Sequence, residues 1–139
     1  MLLRKSGIKA NNIKLDIFIK KNPTLIGYKN EYSQVLINII NNAKDVLIQR
    51  KIKDPYIKIS IDEEKENIIT VMEDNGGGIK IEPLEKIFEP FFTYQKLNGS
   101  GLGLFMSKLI IENNMHGKLL VENSLNGAIF KIIIPNNQI

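Results

Sequence analysis

The sequence predicts an α/β fold, a two-layer α/β sandwich in which helices cover one face of a single mixed, mostly antiparallel sheet. Residues 13–20 alternate apolar and polar side chains, the pattern of a half-buried strand, further short apolar segments near glycines are strand candidates, and two longer segments repeat apolar residues at helical spacing. Strands and helices also follow one another without the regular β–α–β alternation of a doubly wound parallel sheet. Together these observations favour one sheet packed against a layer of helices.

Local patterns predict each element in turn. Residues 13–20 alternate apolar and polar side chains, whereas Val35, Ile39 and Ala43 belong to a helical repeat. The glycines that start at Gly76 end a strand, and a turn that contains Gly127 separates the last two strands. In chain order we expect a strand over 13–20, a helix over 29–50, strands over 56–62 and 67–73, a helix over 101–114, and strands over 118–123 and 128–134.

Composition restricts the class of protein. The 139 residues suit one domain, and the absence of cysteine excludes disulfides and thiolate metal sites. A single histidine, His116, leaves too few ligands for a zinc site. No apolar run reaches the roughly 18 residues that a membrane span needs, and the first residues lack the apolar stretch of a signal peptide.

The charge is unevenly distributed along the chain. Residues 1–60 contain 12 Lys/Arg and 4 Asp/Glu, a balance of +8, while residues 61–139 contain 7 and 11, a balance of −4. This asymmetry fits either an electropositive face that attracts an anion such as a phosphate, or lysines that are simply solvated. The basic residues form no dense cluster with interleaved aromatics, so we expect no nucleic-acid partner.

A line of polar residues runs along the first predicted helix. Its members are three or four positions apart and therefore share one face: Gln34, Asn38, Asn42, Asp45 and Gln49. Such a line is compatible with a solvated face. However, it contains no lysine or arginine, and asparagine within a helix lowers helix stability, so a face directed at a ligand explains it better.

Two glycine-rich segments point to a nucleotide. Asp74 ends a strand just before Gly76, where its carboxylate can accept a hydrogen bond from the exocyclic amine of adenine. Guanine would present a carbonyl oxygen to that carboxylate and be repelled. The second segment, residues 99–104, opens a helix, and free N–H groups at such a place favour phosphate. Each segment alone also fits an ordinary turn or helix start.

Four motifs in order resemble those of sensor histidine kinases. They are the asparagine box over residues 34–43 (QVLINIINNA), the first glycine box over 74–79 (DNGGGI), the phenylalanine box over 87–93 (IFEPFFT) and the second glycine box over 99–104 (GSGLGL). The resemblance covers nearly the whole chain and implies the Bergerat-type fold of gyrase-type and chaperone ATPases. It implies that residues 13–139 are the catalytic, ATP-binding domain and that residues 1–12 lead in from a dimerisation hairpin.

The resemblance also implies a role for individual residues. Asn42 would ligate Mg²⁺ that bridges the ATP phosphates, and Asn38 would contact phosphate or a metal-bound water. Asp74 would bind the adenine amine, and Lys96, in a short lid over residues 93–98, would contact the γ-phosphate. The other residues of the implied ATP-binding set are Asp45, Gly76, Gly78, Ile79, Phe92, Gly99, Ser100, Gly101, Leu102 and Gly103.

Asn38 distinguishes between branches of this superfamily. Gyrase-type and chaperone relatives carry a glutamate there that activates water, whereas a neutral amide is no base at neutral pH. The resemblance therefore implies a two-component histidine kinase that transfers phosphate to a histidine elsewhere, because His116 lies too far from the phosphate end of the helix.

The implied partners are the phosphoacceptor hairpin of the parent kinase and the receiver domain of a response regulator. We expect a monomeric, cytoplasmic domain that is not itself bound to a membrane, whether or not a longer parent chain is anchored there. An anti-sigma factor-type serine kinase of the same fold, and a nucleotide-binding module without catalysis, are the alternative interpretations.

Overall fold

The computed structural model describes residues 12–20, 29–92 and 101–136. Within these ranges five strands form one sheet in the order β1-β2-β3-β5-β4. The strands are β1 (Lys14–Ile19), β2 (Tyr56–Glu64), β3 (Asn67–Asp74), β4 (Lys118–Asn123) and β5 (Ala128–Pro135).

The sheet is mixed and mostly antiparallel, as the sequence predicts. Strand β1 runs parallel to β2, with Leu15 opposite Ile57, and the other three pairs are antiparallel. Strand β3 lies in the middle, where Met72 is opposite both Ile59 of β2 and Phe130 of β5. The C-terminal end of β3 therefore lies in the middle of the row of strand ends on one side of the sheet.

Alternating residues of the central strands form the core. In β3 and β5 every second side chain is buried, while those between are half-buried. This period of two presents one apolar face to the helices. Core residues of the sheet face include Ile59, Met72 and Ile132. Thr70 is also buried there, and its hydroxyl forms a hydrogen bond with the hydroxyl of Tyr32.

The first helix, α1 (Lys29–Gln49), covers this face. Its buried residues Val35, Ile39 and Leu47 join the core cluster, and the repeat of three to four positions brings them onto one side. The polar line predicted from the sequence therefore lies on another side of the same helix. The helix ends before Lys51, whose φ of 52° is incompatible with a continued right-handed helix.

The second helix, α2 (Gly103–Leu109), continues as a π-helical segment over Ile110–Asn114. It begins two residues later than predicted, because Gly101 has a φ of +77° and cannot belong to an α-helix. A short 3₁₀ helix, Leu84–Phe88, occupies part of the region between β3 and α2 for which the sequence predicts no regular element.

Among the helices of the described ranges, none is both long enough and apolar enough to span a bilayer.

Candidate nucleotide-binding site

A cleft opens between α1, the end of β3, the start of α2 and β5. Its walls are mostly apolar, with a few convergent polar groups, which is the usual composition of a small-molecule site. The lining residues are Asn42, Ala43, Val46, Arg50, Asp74, Gly78, Ile79, Ile87, Phe92, Gly101, Gly103, Leu104, Ala128 and Phe130.

Asp74 supplies a carboxylate to the wall of the cleft. It is the last residue of β3 and is only 7% exposed. Its Oδ1 accepts a hydrogen bond of 2.8 Å from the backbone N–H of Gly76, and the N–H of Ala128 also donates to the carboxylate. Burial raises the pKa of Asp74 above its ordinary value, the two N–H donors and the charge of Arg50 lower it in part, and Glu73 raises it.

The glycine turn, residues 76–78, follows Asp74. Its last two residues have φ of +91° and +86°, a conformation that side chains disfavour. The N–H of its middle residue donates to the carbonyl oxygen of Asn126 at 2.9 Å. The Asn123 side chain bonds to both backbone groups of Ile79. Its Oδ1 accepts from the N–H at 2.8 Å, and its Nδ2 donates to the carbonyl oxygen at 3.0 Å. The turn is thereby fixed against the β4–β5 hairpin.

Gly127 allows this close approach. A Cβ at Gly127 would overlap the carbonyl oxygen of Asp74. The N–H of Gly127 donates to Ser124 Oγ at 3.0 Å, within the hairpin turn. Glycine is therefore required by packing at this position, and the hairpin acts as the back wall of the Asp74 site.

Asn42 and the start of α2 lie at the other end of the cleft. The Asn42 side chain is half-buried and lines the cavity together with Gly101 and Gly103. A Cβ at Gly103 would meet no atom of the described residues within 4 Å. Unpaired N–H groups of a first helical turn can bind an anion, and the Asn42 amide oxygen can bind a cation that accompanies it.

Asn38 lies one turn before Asn42 but is held by α2. Its Nδ2 donates to Ser107 Oγ at 3.1 Å and to the Gly103 carbonyl oxygen at 3.4 Å. Ser107 is fully buried, and its Oγ donates to the same carbonyl at 2.8 Å. The Asn38 Oδ1 accepts from Gln34 Nε2 at 3.0 Å. Asn38 thus joins the two helices beside the cleft.

The predicted site residues are only partly brought together by this cleft. Asn42, Asp74, Gly78, Ile79, Phe92, Gly101 and Gly103 line it. The predicted residues that do not line it are Asn38, Asp45, Gly76 and Leu102. Lys96, Gly99 and Ser100 lie outside the described residues, as does the predicted lid over 93–98. His116 lies in the turn before β4 and is exposed, with a φ of 55°.

Several residues of the cleft have no counterpart in the predicted set. Arg50 follows the end of α1 and reaches the glycine turn, while Ala128 and Phe130 enter the cleft from β5. The alternation of β5 predicts that Ala128 and Phe130 share a face, but only the strand order shows that this face borders Asp74.

The comparisons with known proteins agree with this geometry. Residues 27–138 match the model of the family described as histidine kinase-, DNA gyrase B- and HSP90-like ATPases. The chain therefore belongs to this family of ATPases. Its relatives and solved structures identify it more narrowly as a histidine kinase ATP-binding domain.

Two curated relatives are sensor kinases. The signal transduction histidine-protein kinase AtoS of Escherichia coli (strain K12) is 41% identical over 105 residues, which is 75% of this chain and 16% of AtoS. The two-component sensor PprA of Pseudomonas aeruginosa is 35% identical over 116 residues, covering 78% of this chain and 12% of PprA. The chain thus spans less than a fifth of either relative.

The solved structure of the nucleotide-free catalytic domain of histidine kinase ThkA has the same fold. It superposes with a TM-score of 0.81 at 32% identity, covering 95% of this chain and 86% of that domain. ThkA has also been solved in complex with the response regulator protein TrrA, and there the TM-score is 0.77 at 28% identity, over 96% of this chain and 37% of ThkA.

Proposed function

We propose that this chain binds ATP and donates its γ-phosphate to a histidine on a separate phosphoacceptor hairpin, as the catalytic part of a two-component sensor histidine kinase. One observation supports this most directly. The buried carboxylate of Asp74 lies at one end of a cleft whose other end is lined by Asn42, Gly101 and Gly103. A base acceptor and a phosphate-binding helix start are thus combined in one cavity.

The Asp74 end suits adenine. An ionised carboxylate only accepts hydrogen bonds, and the exocyclic amine of adenine donates them. The apolar side chains of Val46, Ile79 and Phe130 border the same cavity and can contact the faces and edges of the ring. Guanine would place a carbonyl oxygen against the carboxylate, so the site should discriminate strongly between the two purines.

The Asn42 end suits phosphates with Mg²⁺. Magnesium prefers hard oxygen ligands and often takes only one or two from the protein beside substrate phosphates, so a single amide oxygen from Asn42 fits. When bound, Mg²⁺ would neutralise part of the phosphate charge. The backbone N–H groups near Gly101 and Gly103 would bind phosphate oxygens, and Lys96 is the proposed γ-phosphate contact.

Transfer to another protein group fits the residues around the cleft better than hydrolysis. Asn38 is a neutral amide whose Nδ2 and Oδ1 are both engaged with protein groups, so it does not activate water. In the proposed reaction a histidine ring nitrogen forms a P–N bond to the γ-phosphorus, the bond to the β–γ bridging oxygen breaks, and ADP leaves. His116, exposed beyond the far end of α2, is not placed to be the acceptor.

The proposed partners are the phosphoacceptor hairpin of the parent kinase and a response regulator receiver domain, and the proposed location is the cytoplasm. The complex of ThkA with TrrA supports a response regulator as partner. We propose that the domain itself is a monomer with no nucleic-acid partner. An anti-sigma factor-type kinase would instead phosphorylate a serine, which the transfer assay below distinguishes.

Calorimetric titration with ATP and Mg²⁺ tests the first half of this proposal. The chain should bind ATP, should bind GTP much more weakly, and should lose about 10- to 100-fold in ATP affinity on Asp74→Asn, the value of one hydrogen bond to a charged group. Asp62→Asn, at a half-buried position of β2 away from the cleft lining, is the matched control. Absence of ATP binding by the unsubstituted chain would refute the proposal.

Phosphotransfer tests the second half. With radiolabelled ATP, acid-labile label should appear on a supplied hairpin domain of the parent kinase, and none on this chain alone. Label on a serine of the partner would support the serine-kinase alternative, and label on His116 would contradict the assignment of a separate acceptor.

A further inference from the structure

Arg50 holds the glycine turn from the side of α1. Its Nη1 donates to the carbonyl oxygen of Gly76 at 2.5 Å and to that of Gly78 at 2.8 Å. The arginine follows the last residue of α1, and its own N–H still bonds to the Val46 carbonyl oxygen at 2.9 Å. The contacts therefore connect the end of the helix that carries Asn42 with the turn that follows Asp74.

The turn is held from two opposite sides. Its first and last carbonyl oxygens accept from Arg50, whereas the N–H of its middle residue and the N–H of the following Ile79 donate to the β4–β5 hairpin. The peptide groups 76–77 and 78–79 are thus each held from both sides, with the C=O bonded to Arg50 and the N–H bonded to the hairpin. Hydrogen bonds from a charged donor are stronger than those between neutral groups. The bonds from Arg50 should therefore hold the turn more strongly than its bonds to the hairpin.

The glycine turn also holds the Asp74 carboxylate. The N–H of Gly76, whose carbonyl Arg50 binds, donates to Asp74 Oδ1 at 2.8 Å. Arg50 also lines the cleft, so its positive charge lies near the carboxylate as well as near the turn. A shift of the turn would therefore move the donor that orients Asp74 and separate the two opposite charges.

We propose, building on the proposed binding of ATP, that Arg50 is a positioning residue for base recognition. By holding the Gly76 and Gly78 carbonyl oxygens it fixes the turn that directs the Asp74 carboxylate at the exocyclic amine of adenine. Arg50 then determines how well the cleft distinguishes a purine with that amine from one without it.

The test compares ATP with purine riboside 5′-triphosphate, which has the same phosphates and ring system but no exocyclic amine. The unsubstituted chain should prefer ATP by about tenfold or more, the value of a hydrogen bond to a charged group. Arg50→Met should reduce this preference to about twofold, because a misdirected carboxylate gains little from the amine. Lys53→Met, which removes an exposed cation from the segment between α1 and β2, is the matched control and should keep the full preference.

Arg50→Lys is the second variant. Lysine keeps the charge but lacks the planar, multiply donating guanidinium, so the preference should be intermediate. This variant decides the matter if Arg50→Met has no cooperative thermal transition. An unchanged preference in Arg50→Lys would then overturn the proposal, and a reduced one would support it.

The pH profile gives an independent readout. The charged groups that act on the Asp74 carboxyl are Arg50 from the end of α1 and Glu73 from its own strand. Arg50 lowers the pKa of Asp74, so Arg50→Met should move the loss of ATP preference to higher pH.

The outcomes separate the two proposals. Equal weakening of ATP and purine riboside triphosphate by Arg50→Met, with the preference retained, would overturn the positioning role and leave ATP binding intact. Failure of the unsubstituted chain to bind either nucleotide would overturn the proposed function, and this inference with it.

Discussion

At the Asp74 end of the cleft, backbone is packed against backbone. The glycine turn is bonded to Arg50 on one side and to the β4–β5 hairpin on the other, and Gly127 leaves no room for a side chain. At the Asn42 end, no described residue crowds Gly103, and Asn38 joins α1 to α2 through its bonds to Ser107 and to the Gly103 carbonyl oxygen. The Asp74 end, the proposed base end, is thus fixed by close packing, whereas the Asn42 end, the proposed phosphate end, depends on how two helices are held together.

Matched glycine substitutions should show this difference most strongly. Gly127→Ala should destabilise the fold by about 3 kcal/mol or more, because the new Cβ overlaps the Asp74 carbonyl oxygen and the hairpin must move. Gly103→Ala should change stability by less than about 1 kcal/mol, because its Cβ meets no atom of the described part of the chain within 4 Å. Thermal unfolding of both variants measures the contrast.

Nucleotide affinity gives a second test of the difference between Gly127 and Gly103. Gly103→Ala should stay folded yet bind ATP more weakly, since a methyl group obstructs phosphate oxygens near the backbone. If Gly127→Ala proves as stable as the unsubstituted chain, the base end is not fixed by packing, and the distinction between the two ends is wrong.

The two asparagines of α1 should separate binding from stability. Asn42→Ala should weaken Mg²⁺–ATP binding about tenfold, the value of one contact to a charged group, with little effect on unfolding. Asn38→Ala should lower stability by about 1–2 kcal/mol, because the buried Ser107 Oγ loses the donor that it accepts from, although it keeps its bond to the Gly103 carbonyl oxygen. Calorimetry and chemical denaturation report the two effects separately.

The opposite result for Asn38→Ala would contradict this distinction between Asn38 and Asn42. If Asn38→Ala reduces ATP affinity at unchanged stability, then Asn38 contacts the ligand directly, and the bond to α2 is not its main role. Ser107→Ala is the control on the other side of that bond and should destabilise the fold in the same way as Asn38→Ala.

The smallest predicted effect concerns pH at the base end. Because burial raises the pKa of Asp74, its carboxylate becomes protonated at a higher pH than that of an ordinary aspartate. The preference for ATP over purine riboside triphosphate should therefore fall as the pH falls through that raised value, and be restored as the pH rises. Comparing two triphosphates cancels the titration of the phosphates themselves.

A preference that stays constant down to the ordinary range of aspartate would contradict this prediction. It would mean that bound nucleotide, Arg50 and the N–H donors together hold Asp74 ionised against burial.

Local sequence patterns were enough to predict the strands of the sheet. Asn67–Asp74 and Ala128–Pro135 are mostly apolar segments of strand length next to turn glycines, which predicts both central strands, whereas the period of two is seen only in their burial. Helix α1 was equally readable, since its apolar repeat extends over 21 residues. The 3₁₀ helix Leu84–Phe88 was missed because five residues are too few to show a period.

The site was predictable where a motif is contiguous. Asp74 and Asn42 belong to such motifs, and both line the cleft. Arg50 was not predictable, because its partner carbonyls lie 26 and 28 positions along the chain and nothing local marks the meeting. Asn38 was predicted from the same motif as Asn42, but its bonds to α2 depend on helix packing, which one sequence does not reveal.

The central position of β3 has a consequence for how the domain opens. Strand β3 pairs with β2 on one side and β5 on the other, so its amides are bonded within the sheet along the strand that leads to Asp74. In native-state hydrogen exchange such strands generally belong to the last unit to unfold. We therefore expect Asp74 to be attached to a slowly exchanging strand, so that partial opening elsewhere would leave its carboxylate in place.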